Sequence, residues 1–158
     1  MNAVVTVDVQ VASESRDIPD DAAVRVWIAA AIAAAGDSTL ASSIEVSVRV
    51  VDEPEGRQLN HEYRGRERAT NVLSFPAGDE LPDGVPRLLG DIVICAPVVT
   101  REAGDQGKRV ADHWAHLLVH GTLHLLGYEH ENEPDAARME ALETRILAAH
   151  DVAEPYAD

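Results

Sequence analysis

Alternating apolar and polar residues predict two strands in the first third of the chain. Residues 42–52 carry an apolar side chain at every second position, which is the period of a strand with one buried face. The apolar residues of this segment are Ile44, Val46, Val48 and Val50. The segment from Val4 to Val11 is rich in β-branched residues and predicts an earlier strand.

Runs of helix-forming residues between capping signals predict the helices. The first helix follows Asp20, which suits an N-cap, and stops at Gly36. A second, shorter helix begins near Pro54 and ends near Gly65. Residues 70–76 and 88–97 predict two more strands, joined by a loop rich in Gly, Pro and Asp. Three helices complete the chain: one from Pro97 to an interruption at residues 104–109, one over residues 110–127, and one from about Pro134 to Ala149.

This order of elements predicts an α+β fold, with a small mixed four-stranded sheet packed with about five helices. The length of 158 residues suits one domain that spans residues 1–158. The chain is 46% hydrophobic and 26% charged, a balance typical of a globular protein. Its start lacks the basic and apolar regions of a signal peptide, and its lone cysteine, Cys95, suits a reducing compartment. We therefore expect a cytoplasmic protein that is not inserted in a membrane, with Cys95 as a buried hydrophobe.

The charge of the chain limits its partners. Twenty-eight acidic residues against 13 basic ones give a formal net charge of -15, so long-range electrostatics oppose the approach of nucleic acid. A polyanionic partner would need a local basic patch. The segment from Tyr63 to Phe75 supplies one, because Arg64, Arg66 and Arg68 lie close together in it. Exposed ion pairs with Glu67 are an equally good explanation of these arginines, and Lys108 and Arg109 are weaker candidates for the rim of the patch.

Three histidines within residues 120–130, "HGTLHLLGYEH", predict a metal site at the end of the central helix. Residues four apart share one face of a helix, so His120 and His124 can point at one ion. Gly127 can end the helix in a left-handed conformation and bring His130 back toward the same point. Three imidazoles with one position open are typical of a catalytic zinc site, although nickel or copper would also suit them. Ordinary polar residues on a helix surface are the alternative explanation.

The residue after the first histidine separates this site from that of a zinc peptidase. The spacing matches the extended peptidase motif, in which a glutamate at that position takes a proton from water. Here the position holds Gly121, which has no side chain for the task. Glu129, next to His130, is a replacement base or an exposed residue. His116 is a partner of the ligands or a packing residue, and no role is expected for the remaining histidines, which are His61, His113 and His150.

The segments "HLLVHGTLHLLGYEH", "YRGRERATNVLSFP" and "GDIVIC" together resemble the bacterial YbeY endoribonuclease family, also called rRNA maturation factors. The resemblance covers the chain from about Asn60 to the last helix. It implies a single-strand-specific, metal-dependent endoribonuclease in small-subunit (16S) rRNA maturation and ribosome quality control. It also implies that His120, His124 and His130 bind the metal and that Arg64 is needed for activity. Glu129 stands where the family often has Asp, and Ala69 where it often has Pro.

The reaction expected from these residues is hydrolysis of an RNA phosphodiester at one zinc ion, with Arg64 at the scissile phosphate. The partners would be single-stranded RNA, ribosomal RNA or ribosomal particles, and ribosomal proteins are further candidates. The nucleophile is either water or the 2′-hydroxyl of the RNA. Two alternatives stay open: a zinc peptidase-like hydrolase, which Gly121 disfavours, and a non-catalytic, zinc-stabilised ribosome assembly factor. Oligomeric state is not indicated by the sequence.

Overall fold

The computed structural model describes residues 4–35, 43–65, 70–77, 87–128, 132–150 and 152. In these ranges the strands are β1 (Val4–Ala12), β2 (Ser43–Val51), β3 (Val72–Pro76) and β4 (Arg87–Cys95). The helices are α1 (Asp21–Ala35), α2 (Glu53–Arg64), α3 (Ala96–Gln106), α4 (Val110–Leu125) and α5 (Glu133–Ala148). None of the helices described has both the length and the apolar character needed to cross a bilayer. The predicted α+β class is confirmed.

The capping signals in the sequence account for most of the helix boundaries. The Asp20 carboxylate accepts a hydrogen bond from the backbone N–H of Ala23 at 2.8 Å, as expected of an N-cap. The predicted stop at Gly36 lies outside the described residues. Helix α3 differs from the prediction, because it continues through Gly104 to Gln106 and ends at Gly107, with φ 66°. A glycine inside an exposed helix costs about 1 kcal/mol, which the packed face of α3 can offset.

The sheet is mixed, with strand order β1-β2-β4-β3. Strands β1, β2 and β4 are parallel, and β3 runs antiparallel to β4 at the edge. Strand β4 therefore lies between the parallel strand β2 and the antiparallel edge strand β3. The prediction of a small mixed four-stranded sheet is confirmed.

Helices cover the two faces of the sheet unequally. The even-numbered residues of β2 are buried in the main core with α1 and α4, in which Ile28, Ile92 and Leu118 are 0% exposed. Since neighbouring residues of a strand point to opposite faces, Val51, Val93 and Cys95 form a smaller cluster with α2 and α3 on the other face. Burial raises the pKa of the Cys95 thiol, so this residue acts as the small buried hydrophobe that was expected.

Helix α4 is the most deeply buried helix described, and it lies directly against β3 and β4. A Cβ atom added at Gly121 would lie 3.2 Å from both the Ile92 Cγ2 and the Ser74 Oγ, and 3.4 Å from the Val72 Cγ2. The Ser74 hydroxyl also donates to the Gly121 carbonyl oxygen at 3.2 Å. Gly121 thus allows the helix that carries the histidines to approach the sheet closely.

Candidate metal centre

The histidines of α4 lie along one strip of the helix, beside α5. His116, His120 and His124 are spaced four residues apart, and each is partly buried. The buried face of α4 packs on the sheet through residues such as Trp114 and Leu118. The strip faces Glu143 on α5, because both His116 and His120 contact that carboxylate. The core packing of α4 and α5 therefore places several imidazole groups in one region.

The turn after α4 fixes the orientation of His124. Gly127 has a φ of 99°, the left-handed conformation predicted for it, and its backbone N–H donates to the His124 carbonyl at 3.0 Å. The chain then turns so that the Tyr128 carbonyl oxygen lies 2.8 Å from the His124 Nδ1. A carbonyl only accepts hydrogen bonds, so Nδ1 carries the hydrogen, and in the neutral ring Nε2 then carries a lone pair. This is the state in which Nε2 can bind a metal.

A buried glutamate fixes the orientation of His120. Glu143 is 0% exposed, and one of its carboxylate oxygens accepts a hydrogen bond from the His120 Nδ1. The other oxygen lies 3.4 Å from the His116 Nε2. A carboxylate on the Nδ1 of a metal-binding histidine holds the ring in place and raises the basicity of Nε2. Glu143 therefore leaves the lone pair of His120, like that of His124, on Nε2.

The two Nε2 atoms converge at 3.0 Å from each other. With hydrogens on both Nδ1 atoms, two nitrogen lone pairs face the same point, and a cation between them would be bound by both. Two imidazole nitrogens on a tetrahedral zinc ion, with bonds of about 2.0–2.1 Å, lie about 3.3 Å apart. The donor set thus fits a transition-metal ion, and metal binding by His120 and His124 stays a prediction.

A second group of possible ligands overlaps the first. His116, His120 and Glu143 each offer an atom, and these atoms lie within 4.8 Å of one another. In this group the His120 Nδ1 and the His116 Nε2 each face an oxygen of Glu143, which is the geometry of hydrogen bonds between these side chains. We favour the point between the Nε2 atoms of His120 and His124, because the hydrogen bonds of both rings leave those atoms as acceptors.

The remaining residues of the predicted site are placed in part. His130 and Glu129 lie outside the described residues, as do Arg66 and Arg68. Arg64 is the last residue of α2 and is exposed, and its Nη2 donates to the Ser74 carbonyl at 3.3 Å. Ser74 also contacts the carbonyl of Gly121, the residue after His120. One residue of β3 therefore connects the predicted catalytic arginine to the histidine helix.

The weaker candidates lie apart from this centre or have other partners. Lys108 and Arg109 precede α4, about 16 Å along the helix axis from His120. His113 is buried, and its Nε2 lies 3.0 Å from the Glu102 carboxylate, which also accepts from the Asn71 amide at 2.9 Å. Burial lowers the pKa of His113, against the opposing effect of the Glu102 hydrogen bond. These contacts connect α3, α4 and the start of β3.

Three residues of this region were not identified from the sequence. Ser74 contacts Arg64 and Gly121, and the Tyr128 carbonyl contacts His124. No sequence pattern reveals these contacts. Glu143 did have a signal, because it lies next to Leu142 and three residues before Ile146, on the predicted apolar stripe of the last helix. A glutamate is almost never fully buried unless it has partners, so its position on a core face indicates buried polar contacts.

Comparisons with known proteins give the family. A family model described as Endoribonuclease YbeY matches residues 8–151. The chain is 58% identical over 141 residues to the Endoribonuclease YbeY of Alkalilimnicola ehrlichii, covering 88% of this chain and 82% of that protein. It is 63% identical over 116 residues to the Endoribonuclease YbeY of Halorhodospira halophila, covering 71% of this chain and 74% of that protein.

A solved structure supports the fold. A Thermotoga maritima protein solved in solution is similar with a TM-score of 0.53 and 21% identity, over 95% of this chain and 99% of that one. The resemblance found in the histidine and arginine segments is confirmed by the family match and by both relatives. The chain belongs to the YbeY endoribonuclease family.

Proposed function

We propose that this chain, acting as one domain, is a single-strand-specific endoribonuclease with one zinc ion bound by His120, His124 and His130. Membership of the YbeY family supports a hydrolase that cleaves RNA internally. The observation that carries the metal assignment is the convergence of the His120 and His124 Nε2 atoms at 3.0 Å. We further propose that the protein acts in the cytoplasm, in small-subunit (16S) rRNA maturation and ribosome quality control.

The zinc ion and the residues around it would have separate roles at such a site. A bound zinc ion would supply Lewis acidity toward a phosphoryl oxygen and would lower the pKa of water to about 7. His120 and His124 would hold the ion, while Glu143 and the Tyr128 carbonyl fix the orientation of the two rings. Because zinc would supply this acidity, the site would not need the glutamate that peptidases carry at the position of Gly121. The packing of Gly121 against β3 and β4 also disfavours a larger side chain there, since an added Cβ would lie 3.2 Å from the Ile92 Cγ2 and the Ser74 Oγ.

Cleavage of single-stranded RNA by the zinc-loaded protein tests this function. We expect cleavage of a single-stranded oligoribonucleotide, little cleavage of the same sequence in a duplex, and loss of activity when a chelator removes the metal. Return of activity on adding zinc back would show that the chelator acted on the metal. Cleavage that is unaffected by metal removal would contradict the proposal.

Arg64 is the residue that we assign to the scissile phosphate. Its guanidinium has five N–H donors in a planar fork, and the hydrogen bond to Ser74 leaves others for an incoming phosphate. The contact with Ser74 fixes the arginine near the strand that packs on Gly121. A hydrogen-bond donor that stabilises the charge of a transition state typically raises the rate by about 10²–10³-fold.

We therefore expect Arg64→Ala to slow RNA cleavage by about 10²-fold or more while leaving zinc affinity unchanged. Steady-state kinetics on a labelled oligonucleotide and a zinc competition titration would measure the two quantities. Arg57→Ala is a matched control, since it removes the same charge from an exposed position on the same helix. Equal rates for the two variants would exclude Arg64 from the mechanism.

The net charge of -15 bears on the partners of this enzyme. Long-range repulsion predicts weak affinity for free RNA, further weakened by added salt. Ribosomal particles would offer docking surfaces that free RNA lacks. We propose ribosomal RNA within such particles as the substrate, with ribosomal proteins as candidate partners.

A further inference from the structure

A small cavity lies at the turn between α4 and α5, beside the metal centre. Its volume is about 290 Å³, and its walls are formed by Leu126, Gly127, Tyr128, Asp135 and Arg138. Small-molecule sites typically begin at about 300 Å³, so the cavity has room for a single nucleotide unit rather than a duplex. Among the described residues, the walls include none of His120, His124 and Arg64, so the reaction proposed above assigns the cavity no role.

The backbone of the cavity wall is directly connected to a proposed metal ligand. The Tyr128 carbonyl oxygen accepts from the His124 Nδ1 at 2.8 Å, and the backbone N–H of Tyr128 donates to the Leu123 carbonyl at 3.0 Å. The position of Tyr128 relative to His124 is therefore fixed by two hydrogen bonds. The cavity wall therefore directly adjoins a proposed metal ligand, at the distance of one hydrogen bond.

The cavity wall carries a cation that is available to a ligand. Arg138 is exposed on α5, and it forms no ion pair or hydrogen bond with the residues that the structure describes. Asp135, one turn earlier, accepts instead from the Asn132 side-chain amide at 2.9 Å. An arginine without an internal partner is well suited to bind a phosphate through two N–H groups. Its position is notable in a chain with 13 basic and 28 acidic residues.

The wall also includes a tyrosine. Tyr128 is partly buried and packs against the cluster that contains Leu123 and Met139, which limits the movement of its ring. Stacking on an aromatic ring is how proteins commonly bind unpaired bases, and it works for every base. A phosphate-binding arginine beside such a ring is typical of sites for single-stranded nucleic acid.

We propose that this cavity is the binding site for the nucleotide adjacent to the cleaved phosphodiester of single-stranded RNA. Arg138 binds the backbone phosphate of that nucleotide, and Tyr128 stacks on its base. The inference rests on the proposed function, since it places a second nucleotide of the same substrate. It accounts for selectivity toward single strands, because a base held in a duplex could not stack on Tyr128.

The test compares RNA binding by Arg138→Ala and Arg145→Ala. Arg145 is exposed on the same helix and does not line the cavity, so both variants lose one positive charge from α5. Fluorescence anisotropy of a labelled single-stranded oligoribonucleotide on zinc-loaded protein would give the Kd over a range of salt concentrations. We expect Arg138→Ala to raise the Kd about tenfold and to reduce the slope of log K against log salt by about 0.7. Arg145→Ala should change neither quantity, and zinc affinity should be the same in both variants.

Equal effects of the two arginine variants, or none, would overturn the inference. Tyr128→Phe should keep wild-type affinity, and Tyr128→Leu should lose about tenfold, once circular dichroism shows that both are folded. Equal affinity of these two would contradict the stacking role. If the wild-type protein cleaves RNA but Arg138→Ala matches Arg145→Ala, the inference alone fails. If the wild-type protein cleaves no RNA under any metal condition, the proposed function fails.

Discussion

Alanine in place of His120 is expected to abolish RNA cleavage, by about 10³-fold or more, and to lower zinc affinity sharply. The Nε2 of His120 faces that of His124 at 3.0 Å, so the variant removes one of two converging ligands. A metal ion contributes several kcal/mol to charge stabilisation in a phosphoryl transition state, and each 1.4 kcal/mol is tenfold in rate. Cleavage assays and a zinc competition titration on the same preparation would measure both losses.

A control histidine and a graded variant make this result specific. His150→Ala removes an exposed imidazole that contacts the Trp27 ring, and it should leave zinc affinity unchanged. Glu143→Gln keeps the size of the buried side chain but removes the carboxylate that holds His120, so zinc affinity should fall by about 10–100-fold. If His116→Ala lowers zinc affinity and His124→Ala does not, the metal lies instead among His116, His120 and Glu143.

Glutamate in place of Gly121 is expected to prevent stable folding. The Cβ alone would lie 3.2 Å from Ile92 and Ser74, and the carboxylate would be buried between α4 and the sheet. An unpaired buried charge combined with overpacking lowers the free energy of unfolding by more than about 4–5 kcal/mol. This is a large part of the typical stability of about 5–15 kcal/mol. Circular dichroism during thermal unfolding, and the yield of soluble protein, would detect the loss.

The smaller substitution Gly121→Ala should destabilise the protein by about 1 kcal/mol, because overpacking outweighs the gain in helix propensity. Gly104 offers a matched control inside α3, where an added Cβ would meet nothing within 4 Å. Gly104→Ala should raise stability by about 0.5–1 kcal/mol, and Gly104→Glu should still fold. A Gly121→Glu variant that melts at the wild-type temperature would show that the glutamate of the peptidase motif is not excluded by packing.

The elements of this fold follow from local patterns, whereas their arrangement does not. Alternation in β2 and the Asp20 cap predicted a strand and a helix start that are confirmed. The position of β4 between β2 and β3 depends on contacts far apart in sequence, which no periodicity reveals. The extension of α3 past Gly104 was missed because the glycine was interpreted as a helix breaker, although the packed face of α3 can offset its cost.

The same distinction applies to the metal centre. The spacing of His120 and His124 predicted their convergence, because the helix period alone brings them together. The carboxylate of Glu143 comes from another helix, and only the packing of α5 on α4 brings it to His120. The link from Arg64 through Ser74 to Gly121 likewise depends on how β3 is placed between α2 and α4. The third predicted ligand, His130, stays a prediction.

The dependence of His120 on α5 has a consequence for protein synthesis. Glu143 follows His120 by 23 residues, so the ribosome exposes the histidines of α4 before the carboxylate that orients one of them. Because synthesis proceeds from the N-terminal end, α4 leaves the ribosome before α5 does. A nascent chain at this stage has the imidazoles but lacks the oriented lone pair of His120. The arrangement that would bind metal tightly is therefore completed only once α5 has been made and packs on α4.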